Sequence, residues 1–148
     1  ILAFDIYNHK TELVKKNAER LGIDIIKTDV RDAAEFDKSL SGIADCILCD
    51  VPCSGLGIIG RKPDIKQNED RSPELCKIQA KILENACIYL KKGGVIVYST
   101  CTVEKAENEG ITGAFLEKHG NFEKLYEKTF YPHTDGTDGF YICKMRKK

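Results

Sequence analysis

Two cysteines and one carboxylate stand at the ends of short apolar runs in this chain, and its chemistry is legible there first. The first run, Asp45-Cys-Ile-Leu-Cys-Asp50, stops at Val51-Pro-Cys-Ser-Gly-Leu-Gly57, and the second, Val95-Ile-Val-Tyr98, stops at Ser99-Thr-Cys-Thr102. Both are too brief for helices and end in sharp polar turns that carry a thiol, as buried strands do when they deliver side chains to a sheet edge. Ligands of open parallel sheets collect outside the carboxyl ends of the strands, so Asp50, Cys53 and Cys101 are expected at one crevice. Cys101 sits between a strand and a helix, where backbone N–H groups and the helix dipole favour the nucleophilic thiolate. Glu104 and Glu107 oppose that charge, which leaves the sign of any shift open. Neighbouring parallel strands lie about 4.8 Å apart, so two thiols at adjacent strand ends could flank one planar ring. The plainer alternative is two turn cysteines that happen to end strands.

The elements that would position these residues follow in order. Ile1–Ile6 reads as a strand, and Lys10–Leu21 as a helix with Leu13, Val14, Ala18 and Leu21 in phase, Asn8 as N-cap and Gly22 as stop. Asp24–Thr28 makes a second strand ending at Asp29, and Ala44–Cys49 the central one. Ser72-Pro-Glu74 is a strong helix start with a capping hydroxyl, and Leu75, Ile78, Ile82, Ala86 and Leu90 line one face until Lys92-Gly-Gly94. Val95–Tyr98 is the next strand and Val103–His119 the next helix. Phe122–Lys128 and Gly139–Met145 form a final pair with no helix between them. Strands alternating with helices call for an α/β fold whose sheet is mostly parallel with an antiparallel C-terminal end.

The 148 residues suit one domain with a real core. Lysine plus arginine and aspartate plus glutamate both count 23, so there is no global charge to draw nucleic acid, and any such site must be a local patch. Arg61, Lys62, Lys66 and Arg71 form the one basic cluster beside the crevice; a solvated loop is the equal alternative. Without a membrane-spanning apolar run or a leader, the protein is expected to be soluble and cytoplasmic. The seven cysteines, several inside apolar runs, fit free thiols in a reducing compartment.

Four other patterns carry competing readings. Asp5 ends its strand, and an acid so placed in dinucleotide-type folds accepts hydrogen bonds from ribose hydroxyls, although a solvated strand-end carboxylate looks the same. Gly55-Leu-Gly-Ile-Ile-Gly60 matches a phosphate loop in letters, but Arg61-Lys-Pro-Asp64 follows where a helix should open. Cys46 and Cys49 point to opposite strand faces and so cannot close on one metal ion; they read as buried strand thiols, and Cys76, Cys87 and Cys143 as residues without a role. His9, His119 and His133 are scattered, with no partner suggesting a triad or a metal site.

Asp50-Val-Pro-Cys-Ser-Gly-Leu-Gly57 with Arg61-Lys-Pro-Asp64, Tyr98-Ser-Thr-Cys-Thr-Val103 with Glu107-Asn-Glu109, and Asp138-Gly-Phe-Tyr141 together resemble the RNA cytosine-C5 methyltransferases, in particular their Sun-type bacterial 16S ribosomal RNA branch. The resemblance runs over nearly the whole chain. It implies a Rossmann-like S-adenosylmethionine-dependent fold, cytosine methylation in ribosomal RNA, 16S ribosomal RNA as partner, and no metal. It also implies roles: Asp5 at the cofactor's ribose, Asp29 near its adenine, Asp50 at the methyl-donor end, Cys101 as nucleophile toward cytosine C6, and Cys53 as the second cysteine that helps remove the C5 proton and release the enzyme. A target cytosine in folded RNA must be unstacked to enter. Relatives place a first strand and glycine-rich cofactor loop upstream. The chain is therefore expected to be the later portion of a catalytic domain, with unpaired strand edges, poor cofactor binding and no activity when isolated.

Two rivals stand beside this expectation. An amino-group methyltransferase acting on adenine or glutamine would leave Cys101 idle and usually shows Asn or Asp before Pro-Pro and an aromatic. A non-catalytic RNA-binding module would need the basic loop and neither thiol.

Overall fold

The computed structural model describes residues 1–67 and 72–148, with only the backbone of Ser72; the expected cation at Arg71 and the capping hydroxyl of Ser72 therefore lie outside the described residues. Backbone proximity divides the chain into two units, Ile1–Phe36 and Asp37–Lys148.

In the first unit, strand β1 (Leu2–Asp5) leads into helix α1 (Asn8–Arg20) and then strand β2 (Lys27–Val30). β1 and β2 pair in parallel, Phe4 opposite Asp29 and Asp5 opposite Val30. The helix starts earlier than its apolar spacing suggests. Asn8 is its first residue rather than its cap, and Tyr7 takes the cap position with an extended backbone. The acid at the end of β1 closes that turn, because Asp5 Oδ1 accepts the Tyr7 N–H at 2.9 Å. β2 begins three residues later than expected, since Ile23 N–H turns back to the Ala18 carbonyl at 2.9 Å and extends the helix exit.

The second unit contains β3 (Ala44–Asp50), α2 (Ser72–Tyr89), β4 (Leu90–Thr100), α3 (Glu109–Lys118), β5 (Phe122–Phe130), α4 (Pro132–Asp135) and β6 (Phe140–Lys147). Its sheet has the order β3-β4-β6-β5. β3 and β4 are parallel, and β6 is antiparallel to both β4 and β5, so β6 alone runs against the other three. The late antiparallel pair was legible in the sequence; the insertion of β6 between β4 and β5 was not.

The core forms where period-two positions of β4 and β6 meet α2. Ile96, Tyr98, Tyr141, Cys143 and Met145 are fully buried, with Leu83 from α2. Each such side chain is worth roughly 1.5–3 kcal/mol on burial. α2 buries Ala86 as expected, with Leu90 just past its end and Ile82 packed against the core, but the buried face is wider than the expected stripe. Gln79, Leu83, Ala86 and Cys87 are inside, while Ile78 is exposed. Phe115 of α3 packs edge-on against Phe122 at 5.0 Å between ring centroids.

Two boundaries differ for local reasons. Lys92-Gly-Gly94 does not end α2 but forms a bulge inside β4, where the register against β3 slips between Leu90 and Val95. Gly93 has φ +80, and a Cβ on Gly94 would lie 2.9 Å from the Asp45 carbonyl, so the bulge needs both glycines. Residues 103–108, expected to be helical, instead fold into turns. Asn108 turns inward, accepting from Thr100 Oγ1 at 2.6 Å and donating to the Thr102 carbonyl at 3.1 Å. Such local bonds compete with a helix, and α3 starts only at Glu109.

Candidate active site

β3 and β4 end side by side, with Asp50 opposite Ser99, and the pairing continues one residue further through Val51 N–H to the Ser99 carbonyl at 3.2 Å. Pro52 then turns the chain, and Cys53 meets Cys101 with 3.2 Å between the sulfurs. Both thiols are half-buried. Behind them, the hydroxyls of Ser54 and Thr102 are 2.9 Å apart, so each cysteine's following residue ties the two turns together.

A third loop joins them through backbone alone. Gly57 N–H donates to the Cys101 carbonyl at 3.0 Å, and Gly139 N–H donates to the Gly57 carbonyl at 2.8 Å. A Cβ on Gly57 would lie 2.7 Å from the Cys101 carbonyl oxygen and 2.6 Å from the Gly139 carbonyl carbon. This approach accounts for glycine at position 57 and the positive φ of +74 for glycine at 55, whereas a Cβ on Gly60 would meet nothing within 4 Å. Only a three-residue turn, Leu56–Ile58, follows Gly55.

The turn that carries Cys53 is also held from below by two fully buried polar side chains. Gln79 Nε2 donates to the Pro52 carbonyl at 2.9 Å and to Glu107 Oε2 at 2.8 Å, and Ser54 N–H donates to the same Glu107 oxygen at 3.0 Å. Both peptide neighbours of Cys53 are thereby fixed. Gln79 left only a faint sign in the sequence, a polar residue four before Leu83 and seven before Ala86 on one helix; Glu107 figured there only as a negative charge and part of a motif.

The contact between the two sulfurs shifts the thiols in opposite directions. The S–H of Cys53, held against Cys101, lowers the Cys101 thiol to about 7, while burial and the Asp50 carboxylate push it up and Lys62 draws it down. The same hydrogen bond, with burial, pushes Cys53 up strongly. Asp50 accepts from Ser99 Oγ at 3.3 Å.

Asp5 and Asp29 belong to the first unit. Asp5 ends β1, with Oδ2 3.7 Å from Lys10 Nζ. Asp29 is the penultimate residue of β2 and accepts from Arg31 Nε at 2.8 Å, which holds its carboxyl below the usual value. Of the basic cluster, Arg61 pairs with Asp138 at 3.0 Å.

The two thiols inside β3 sort by strand face. Cys49 is buried, which raises its thiol to about 12, whereas Cys46 is exposed rather than buried as expected. His119 also departs from expectation: its Nε2 lies 3.0 Å from Glu84 Oε2 and its Nδ1 4.0 Å from Cys87 Sγ. Burial raises the Cys87 thiol, so this line lacks a ready nucleophile. Among the described residues no helix is long and apolar enough to cross a membrane.

The chain is similar to known proteins over nearly its whole length. A family model described as 16S rRNA methyltransferase RsmB/F matches residues 1–146. The probable ribosomal RNA small subunit methyltransferase B of Bacillus subtilis (strain 168) is 40% identical over all of this chain, which covers 38% of that protein. Ribosomal RNA small subunit methyltransferase B of Yersinia enterocolitica is 35% identical over all of this chain and 37% of its own length. Among solved structures, NSun6 from Pyrococcus horikoshii with SFG superposes with a TM-score of 0.85 at 31% identity, covering 99% of this chain and 41% of that one. The chain thus spans less than half the length of these relatives.

Proposed function

The chain belongs to the 16S rRNA methyltransferase RsmB/F family, and from that membership we propose that it carries the reacting thiols of an RNA cytosine-C5 methyltransferase acting on ribosomal RNA. The observation that bears this reading is the 3.2 Å approach of Cys53 and Cys101 at the ends of two adjacent parallel strands. An amino-group methyltransferase has no use for such a pair.

S-adenosylmethionine, when bound, supplies an electrophilic methyl group on a sulfonium sulfur. The acids fit such a cofactor: neighbouring strands β1 and β2 present Asp5 and Asp29, carboxylates able to accept from ribose hydroxyls and the adenine amine. Asp50 is proposed at the methyl-donor end, beside the target base.

The chemistry of the residues follows from the contact between the two sulfurs. The Cys101 thiolate adds to C6 of an unstacked cytosine, and the electron pair displaced toward C5 makes that carbon the nucleophile that is methylated. Cys101 is then a thioether and no longer offers Cys53 a charged acceptor. Cys53 ionises more readily, releasing its proton to solvent, and its thiolate removes the C5 hydrogen. The C5=C6 double bond re-forms and Cys101 leaves as a thiolate, so one proton is released per methyl group transferred.

The test is methyl transfer to a 16S RNA transcript by the full-length gene product, with digested nucleosides identified by mass spectrometry. The expected product is 5-methylcytidine, abolished by Cys101→Ser. An N-methylated base, or undiminished transfer by Cys101→Ser, would overturn the reading.

A further inference from the structure

Gln79 and Glu107 are wholly buried, yet each keeps one side-chain oxygen, Oε1, without a hydrogen-bond partner. Burying unpaired polar oxygen is costly, and apolar side chains of similar size would fill the same volume without that cost. What the pair does accomplish is specific. Gln79 takes the Pro52 carbonyl and Glu107 takes the Ser54 N–H, so the peptide units before and after Cys53 are both anchored to one carboxyl–amide contact of 2.8 Å. Cys101 is held by other means: its carbonyl by Gly57 N–H, and the turn around it by the Thr100–Asn108–Thr102 bonds. Neither Glu107 nor Gln79 side chain takes part in those.

We propose that Glu107 and Gln79 are positioning residues for Cys53, fixing the second thiol where it can reach the C5 hydrogen, so that their loss slows release of the enzyme from its RNA adduct while leaving attack by Cys101 in place. This rests on the covalent reading above and adds to it a division of labour. The loop bearing Cys101 keeps its bonds, whereas the loop bearing Cys53 keeps its Val51, Gly57 and Ser54–Thr102 contacts but loses both anchors on the peptide units that flank Cys53.

The experiment compares wild type, Cys53→Ala, Glu107→Ala, Gln79→Leu and Glu107→Gln in the full-length gene product, on unmodified RNA with S-adenosylmethionine. Two quantities are read: the single-turnover rate of forming a denaturant-stable RNA–protein adduct, and steady-state turnover. Glu107→Ala and Gln79→Leu are expected to form adduct within about threefold of the wild-type rate, then accumulate it as Cys53→Ala does, with turnover down roughly ten- to hundredfold, the size of losing hydrogen bonds of this kind. Glu107→Gln keeps an acceptor oxygen and should restore turnover to within about fivefold of wild type.

A variant that loses adduct formation and turnover together has a merely structural residue at that position, which overturns the proposal, as does wild-type turnover in both Glu107→Ala and Gln79→Leu. Should Glu107→Ala not fold, as judged by near-ultraviolet dichroism, Gln79→Leu decides by the same two rates. If Cys53→Ala itself accumulates no adduct, the covalent reading fails first, and that result is distinct from wild-type-like release in the Glu107 and Gln79 variants alone.

Discussion

The Gly57 N–H donates to the Cys101 carbonyl at 3.0 Å, which makes a residue of one thiol-bearing loop a structural support of the other. Because a Cβ at position 57 would press on backbone atoms of Cys101 and Gly139 rather than on a side-chain end, neither neighbour yields cheaply. Gly57→Ala should cost about 1–3 kcal/mol in denaturant unfolding and misplace Cys101. Gly60→Ala, where a Cβ meets nothing within 4 Å, should unfold as wild type does. Equal stability of the two variants would show that the loops are not interlocked.

The contact between the two sulfurs predicts a pH profile. With the Cys101 thiol lowered to about 7 by its contact with Cys53, alkylation of Cys101 by iodoacetamide should rise through neutral pH and level off above it. Removing the donor with Cys53→Ala takes away the largest lowering influence, so the midpoint should move up toward the ordinary thiol value of 9.0. Peptide mass spectrometry across the pH range reads this directly. An unmoved midpoint would mean that Cys53 does not set the acidity of Cys101.

The sulfur separation has its own check. A short bifunctional thiol reagent should join Cys53 to Cys101 in the folded protein, while Cys49, Cys87 and Cys143, all buried, stay unmodified until denaturant is added. Peptide mapping that finds Cys53 or Cys101 joined instead to Cys46 or Cys76 would contradict the site geometry.

The proposed cofactor acids separate from the thiols by function. Asp5→Asn in the full-length gene product should weaken S-adenosylmethionine binding by roughly tenfold or more in calorimetry, the loss expected when charge-assisted hydrogen bonds to hydroxyls go. Cys101→Ser should leave that affinity unchanged. Equal affinity of Asp5→Asn and wild type would remove Asp5 from the cofactor site.

The sequence showed the site better than its supports. A Pro-Cys turn and a Thr-Cys turn, each after a four- to six-residue apolar run, are local patterns, and local patterns survive into the fold: both sulfurs stand where adjacent strand ends place them. The supports are long-range and leave weak local traces. Gln79 looks like a surface residue of α2, yet it lies inside with Leu83 and Ala86, because the face that packing buries is wider than the apolar stripe the spacing marks. Residues 103–108 read as helix by composition, and only the bonds of Asn108 to Thr100 and Thr102 show why they are not. Similarly, Lys92-Gly-Gly94 has the spelling of a helix end and the geometry of a strand bulge, because Leu90 already pairs with Ala44. The position of β6 between β4 and β5 depends on pairing partners that no short stretch specifies.

The assignment of nucleophile and second thiol is tested most directly by trapping. RNA carrying 5-fluorocytidine at the target position has no C5 hydrogen to remove, so the full-length gene product should stall as a covalent adduct that survives denaturation. Digestion and mass spectrometry should place the RNA on the peptide bearing Cys101, with Cys53 free. Attachment at Cys53 would reverse the two roles, and the absence of any adduct under conditions of active methylation would contradict covalent catalysis by this pair.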